Sequence, residues 1–209
     1  MERRLAAVLV SDVVGYTKLM EEDTEGTVTA WSEARDKIIE PSVESHKGRI
    51  VKFTGDGFLT EFKTVQDALN CAIHLQNSLF ESSLKFRMAV NLGDIIDDGR
   101  DIHGEGINIA ARLEALAEPG GICISGAVYD QVRNRINAKY EELGFQDVKN
   151  VSEPVMAYNV SAEVNLGEET KPENLAGDLS IAVLPFDNMS NDPEQEFFTD
   201  GIVEDIITE

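Results

Sequence analysis

Two short β-prone runs, residues 49–54 (RIVKFT) and 58–62 (FLTEF), flank Gly55-Asp56-Gly57, and this turn constrains the fold more than any other stretch of the chain. Asp-Gly between such runs is a strong hairpin signal, because glycine takes the positive φ that a tight turn needs. The hairpin puts Asp56 at its tip. Its two strands have one face to bury, so the flanking segments must supply the rest of a sheet and the helices that cover it.

Those segments have the right patterns. The apolar run Leu5 to Val10 suits a buried central strand ended by Ser11-Asp12, with a helix to follow. From Thr24 to about Ser45 the composition is helical, with Val28, Trp31, Ala34, Ile38 and Ile39 on one stripe, and Gly48 stops it. Val65, Ala68, Leu69, Ala72, Ile73 and Leu79 mark a second amphipathic helix. Phe86 to Leu92 is strand-like, and Asp94 to Asp101 reads as a turn or a short hairpin arm. Ile107 to Ala117 is a third helix with Ile109, Leu113, Leu116 and Ala117 as its core stripe, and Asn108 and Arg112, four apart, on a neighbouring face. A strand at Ile122 to Ser125, a short helix at Ala127 to Arg133 and strands at Tyr140 to Val148 and Val155 to Val160 follow. Hairpins mixed with helices predict an α+β fold, a mainly antiparallel sheet with helices packed on it, over residues 1–161. Residues 162–178 are polar and aperiodic, a linker, and 179–209 contain a new strand pattern (SIAVLPF) and a helix pattern, a C-terminal strand-helix fragment of a second domain.

Charge narrows the ligand. With 18 basic and 39 acidic residues the net charge is −21, which argues against nucleic acid and against a polybasic membrane contact. A polyphosphate ligand would then need divalent cations and a few placed Lys or Arg side chains. No apolar run is long enough to insert into a membrane and the first residues do not read as a signal peptide, so a cytoplasmic location is expected. Cys71 and Cys123 lie in apolar patterns and read as buried free thiols, and His46, His74 and His103 lack zinc-ligand spacing. The phosphate loop G-x-x-x-x-G-K-[ST] is absent, and Gly104-x-Gly106 is an incomplete dinucleotide fingerprint.

Taken singly, the polar candidates have ordinary explanations: Asp12 as a helix cap, Asp56 as a turn residue, Lys52 as a solvent-facing strand residue, Asn108 and Arg112 as a wet helix face. Their combination resembles the catalytic domain of class III nucleotidyl cyclases from about Leu5 to Val160. Val10-Ser11-Asp12-Val13-Val14-Gly15-Tyr16-Thr17 resembles the family's first metal motif and Lys52-Phe53-Thr54-Gly55-Asp56-Gly57 its second, at the family's usual separation of the two aspartates. Lys52 and Asp101 fall where adenylate-type members carry the base-reading pair. Asn108-Ile109-Ala110-Ala111-Arg112 resembles the N-x-x-x-R pair that contacts ribose and the reacting phosphate.

The resemblance implies a ferredoxin-like cyclase core and an adenylate cyclase that turns ATP into 3′,5′-cyclic AMP and pyrophosphate. Two divalent ions, Mg2+ or Mn2+, would be held by Asp12, Asp56 and the Val13 carbonyl, and the amides of Val14, Gly15, Tyr16 and Thr17 would cradle phosphate at a helix start. Lys149 falls near the family's terminal-phosphate lysine, although its surroundings depart from the usual K-G pattern. Each site would be shared across a homodimer, with the aspartates from one chain and Lys52, Asp101, Asn108 and Arg112 from the other. A guanylate cyclase and a non-catalytic nucleotide-sensing module of the same fold are the alternatives. Residues 180–209 resemble the start of a TolB-like domain.

Overall fold

The computed structural model describes residues 1–147 and 154–161, within the compact unit Met1–Val164. Lys149, the linker and the C-terminal fragment lie outside the described residues. The elements run β1 (Glu2–Val13), α1 (Tyr16–Glu22), α2 (Thr24–Ala34), a π-helical turn (Arg35–Ile39), α3 (Glu40–Ser45), β2 (Arg49–Phe53), β3 (Gly57–Phe62), α4 (Val65–Ser78), β4 (Phe86–Asp97), β5 (Ile102–His103), α5 (Glu105–Glu114), β6 (Ile122–Ser125), α6 (Gly126–Val132), β7 (Lys139–Gln146) and β8 (Val155–Ser161). The sheet order is β2-β3-β1-β4-β6-β8-β7, with β5 paired to β4. Every pairing is antiparallel except β4 with β6, as the α+β expectation requires.

Strand alternation sorts the core into two faces. Ala7, Leu9 and Val13 of β1 face Trp31, Ile39, Leu69, Leu75 and Val128 from α2, the π turn, α4 and α6, all in one buried cluster. Trp31 stacks on Phe86, ring centroids 5.9 Å apart, and meets Phe53 edge-on at 6.2 Å. The opposite parity, Ala6 and Val8, packs with Leu59, Ile95, Ile102 and Ala110. On that face α5 is the covering helix, and Leu113, also fully buried there, would cost about 2–5 kcal/mol to truncate to alanine.

Two glycines let α5 approach that closely. A Cβ on Gly93 of β4 would meet the Gly106 Cα at 2.7 Å, so the helix backbone lies directly against the strand. The Asn91 amide donates to the Gly106 carbonyl at 2.8 Å and fixes the contact.

The structure revises three expectations of local detail. The long helix from Thr24 to Ser45 is continuous, but Val28 lies off its buried stripe, 45% exposed with Thr27 buried in its place, and the helix widens into the π turn just before Pro41, whose missing N–H cannot join the regular ladder. The strand read as Phe86 to Leu92 extends to Asp97 and turns back through β5, which is the hairpin arm. The helix read as Ile107 to Ala117 starts at Glu105 and ends at Glu114, so its helical period does not extend to Leu116, which is 38% exposed. Gly106, Ala110 and Leu113 form the buried stripe instead, with Ala117 buried beyond the helix end and Ile109 half-buried.

Candidate active site

Asp12, next to last in β1, sits on the α5 face, opposite Gly57 on one side and Arg87 on the other. The hairpin brings Asp56 alongside it. The Val13 amide donates to the Asp56 carbonyl at 2.9 Å, and the Thr54 amide closes the turn onto the Gly57 carbonyl at 2.9 Å, with Gly55 at φ 91°. Gly57 must be glycine, since a Cβ there would lie 2.1 Å from the Ser11 carbonyl oxygen. Burial, together with the adjoining Asp56 carboxylate, pushes Asp12 up to about 6; Arg87 opposes the shift.

Two groups that no motif singled out join this pair. Glu114, at the end of α5 and half-buried, is pushed up to about 7 by burial, with Asp12 and Asp56 adding to the shift and Arg87 opposing it. Arg87 has a buried Nε with no partner among the described residues. Its place follows from the antiparallel register, because residue 87 of β4 lies directly across from residue 12 of β1. Glu114 is two positions past Arg112, hence on the opposite side of the helix, facing the sheet.

The site therefore gathers negative charge that a cation would relieve. No three His, Cys, Asp or Glu side chains among the described residues are placed to hold one metal ion, so two carboxylates would hold an ion whose other ligands come from backbone, water or substrate. That donor set fits Mg2+ or Mn2+, which use one or two carboxylates plus substrate phosphates, and not zinc.

Downstream of Asp12, Gly15 takes φ 66° and precedes α1, whose first internal bond runs from the Leu19 amide to the Gly15 carbonyl. The amides of Tyr16 and Thr17 precede that bond and stand free of the helical ladder. Val14 differs from expectation. Its N–H donates to the Lys85 carbonyl at 2.8 Å, because β4 begins beside this turn, which removes it from the donors open to a ligand.

Lys52 meets Asp101 at 2.5 Å, Nζ to Oδ2. A strict alternation along β2 would place Lys52 with Ile50, which packs on the face covered by α2 and α4. The register instead shifts between Ile50 and Lys52, so Val51 and Lys52 both turn to the α5 face, Lys52 opposite Leu59. Asp101 reaches it from the turn between β4 and β5, and the Lys52 ammonium holds its carboxyl below the usual range. Asn108 and Arg112 project from the exposed side of α5, and neither side chain makes a hydrogen bond or ion pair among the described residues.

The structure thus brings together Asp12 with Asp56, and Lys52 with Asp101, and sets Asn108 and Arg112 on one outward helix face. The sheet order, the covering helices and an acidic pair on a strand end and hairpin tip define a domain of the nucleotidyl cyclase class. The Adenylate and Guanylate cyclase catalytic domain family matches residues 3–162, and the chain belongs to this family. It is similar to the crystal structure of an Adenylate/Guanylate Cyclase/Hydrolase from Silicibacter pomeroyi, with 37% identity, a TM-score of 0.73 and coverage of 78% of this chain and 99% of that one. The adenylyl cyclase CyaB from P. aeruginosa aligns at 25% identity with a TM-score of 0.68, covering 80% of this chain and all of that one. Among curated relatives, the Rhizobium meliloti protein "Putative adenylate cyclase 3" is 43% identical across the whole of this chain, which spans 38% of that protein's length.

Proposed function

We propose that this domain is an adenylate cyclase, converting ATP to 3′,5′-cyclic AMP and pyrophosphate at sites shared by two copies of the chain. The observation that carries this reading is the Lys52–Asp101 pair. An ammonium donor and a carboxylate acceptor side by side match the acceptor N1 and donor N6 of adenine, and guanine reverses both positions. A mismatched base would leave the ammonium and the carboxylate unpaired once the bound base shields them from water, and sites that rely on such complementarity discriminate by roughly 10⁴.

In the reaction the ribose 3′-oxygen attacks the α-phosphorus and gives up its proton to solvent, while the bond from that phosphorus to the bridging oxygen breaks and its electron pair leaves with pyrophosphate. Two divalent cations, when bound, would lower the charge on the attacking and leaving oxygens. Asp12 and Asp56, with the Val13 carbonyl, would hold those ions. The Gly15, Tyr16 and Thr17 amides would receive phosphate oxygens, and Arg87 would supply fixed positive charge beside the carboxylates. From the partner chain, Arg112 would stabilise the charge building on the α-phosphoryl group, Asn108 would orient the ribose, and Lys52 with Asp101 would read the base. Lys149 is proposed for the terminal phosphate on the family resemblance alone.

The exposure of Asn108 and Arg112 supports a shared site, since groups meant to meet a substrate held by another chain must stand outside their own. Beyond residue 161 we propose a linker, 162–178, and the start of a TolB-like domain, 179–209. Incubating the 209-residue protein with ATP or GTP, once with Mg2+ and once with Mn2+, tests the assignment. Cyclic AMP formed in preference to cyclic GMP is expected, and ATP bound without turnover under both metals would overturn it.

A further inference from the structure

Four charged side chains outside the cyclase motifs form one network on the α5 face. Arg4 of β1 donates to Glu61 Oε2 at 2.7 Å and to Asp97 Oδ2 at 3.4 Å, and Arg49 of β2 donates to Glu61 Oε1 at 2.8 Å and to Asp97 Oδ2 at 2.9 Å. The two acids are well covered, their side chains 12% and 19% exposed. Both are held below the usual carboxylate range, Glu61 by Arg49 and then Arg4 against the cost of burial, Asp97 by the Gly99 amide first and then the arginines.

Asp97 is where the β4–β5 arm leaves the sheet. Its Oδ1 accepts from the Gly99 amide at 2.8 Å, which builds the turn, while its Oδ2 ties that turn to β1 and β2. Next, Asp98 Oδ1 accepts from the amides of Arg100 and Asp101, at 2.9 and 2.8 Å. Asp101 then spends Oδ1 on the Ile102 amide and leaves Oδ2 for Lys52. The arm is thus anchored at its root by the arginine network, and Asp101 is the last link of a chain that starts at Asp97. The Lys52–Asp101 pair is 43% and 29% exposed, and an isolated pair that open to water stabilises little. The network of arginines, each reaching both acids, is the stronger device for fixing geometry.

We propose that the Arg4–Glu61–Arg49–Asp97 network is a positioning device for Asp101, so that nucleotide choice depends on residues that never touch the base. The proposal rests on Lys52 and Asp101 being the base-reading pair.

Asp97→Asn keeps an acceptor for the Gly99 amide and weakens only the tie to the arginines. It should speed hydrogen exchange at the Arg100 and Asp101 amides and lower the ATP-over-GTP ratio of kcat/KM about tenfold, against about 10²-fold for Asp101→Asn. The double variant should fall no further than Asp101→Asn alone, because both changes act through one carboxylate. Arg49→Met should reproduce the loss and Arg49→Lys should recover part of it. A ratio unchanged in Asp97→Asn but lowered in Asp101→Asn, or effects that multiply in the double variant, would overturn the positioning role and leave the base-reading pair standing. An unchanged ratio in Asp101→Asn would remove the base-reading assignment and the proposal with it, and the exchange data would then mark the network as a structural staple.

Discussion

Lys52 and Asp101, 49 residues apart in sequence, meet on the α5 face because a bulge in one strand and a folded-over hairpin arm converge there. Neither element alone places its residue. The extra residue at Val51 turns Lys52 away from the face covered by α2 and α4, and the β4–β5 arm carries Asp101 toward β2.

Replacing Lys52 by methionine separates specificity from stability. The pair is half open to solvent, so the change in unfolding free energy should stay within about 1 kcal/mol. The value of kcat/KM for ATP should fall by about 10²-fold, since a donor to the base is lost. The Asp101 carboxyl, freed of the ammonium, should rise toward its ordinary value of 3.8, which carboxylate NMR reads directly. A large loss of stability with no kinetic effect would make the pair a structural tie.

Gly57 tests how tightly the hairpin tip is held against β1. In Gly57→Ala the new Cβ would sit 2.1 Å from the Ser11 carbonyl, a backbone atom in the centre of the sheet that cannot step aside. A destabilisation of about 3 kcal/mol or more is expected in urea denaturation, along with loss of activity as Asp56 moves from Asp12. Gly55→Ala meets no atoms within 4 Å but stands at φ 91°, so its cost should be the smaller conformational one, about 1–2 kcal/mol.

The acidic cluster gives a pH prediction with a definite sign. Asp12, raised from 3.8 to about 6, and Glu114, raised from 4.5 to about 7, bind protons more tightly folded than unfolded. Their favourable contribution is complete below about pH 4 and is lost as pH climbs through 6 and 7. The lowered carboxylates Asp36, Glu61, Asp97, Asp98 and Asp101 act in the other direction, and their contributions are complete by about one pH unit above their ordinary values of 3.8 to 4.5, so the window from about 5.5 to 7.5 isolates the raised pair. Metal-free protein should therefore lose thermal stability across that window. A divalent cation replaces the proton, so the increase in Tm from Mn2+ should be larger at pH 8 than at pH 5, and Asp12→Asn should shrink it. Equal Mn2+ shifts at both pH values in the wild-type protein would refute a metal role for Asp12.

What could be read from the sequence, and what could not, follows from the range of the interactions involved. Strand and helix order is local patterning, and the turn at Asp56 is local chemistry, so both were legible. Arg87 and Glu114 were not, because their place beside Asp12 depends on the β1–β4 register and on how far α5 runs across the sheet. The Val51 bulge is an exception to alternation and leaves no mark in the apolar pattern. The engagement of the Val14 amide is hidden for a similar reason: its partner, Lys85, is distant in sequence and arrives with β4. Leu116 continues the apolar period of α5 in sequence but lies past Glu114, where the helix ends, so its spacing does not carry it into the core.

The sharpest expectation concerns how two chains share a site. Asp56→Ala removes a metal carboxylate and Arg112→Ala removes the group for the α-phosphoryl charge, and in a shared site these lie on opposite chains. Each variant alone should be inactive. In an equal mixture with free exchange, half the dimers are mixed, and each mixed dimer has one site with both defects and one with neither. Activity should therefore recover to about a quarter of the wild-type value per chain, and wild-type specific activity should itself fall on dilution below the dimer dissociation constant. Recovery to that level cannot arise if Asp56 and Arg112 serve a substrate within one chain, because every chain in the mixture is defective. No recovery, from two variants that each still fold and dimerise, would place the whole site in a single chain.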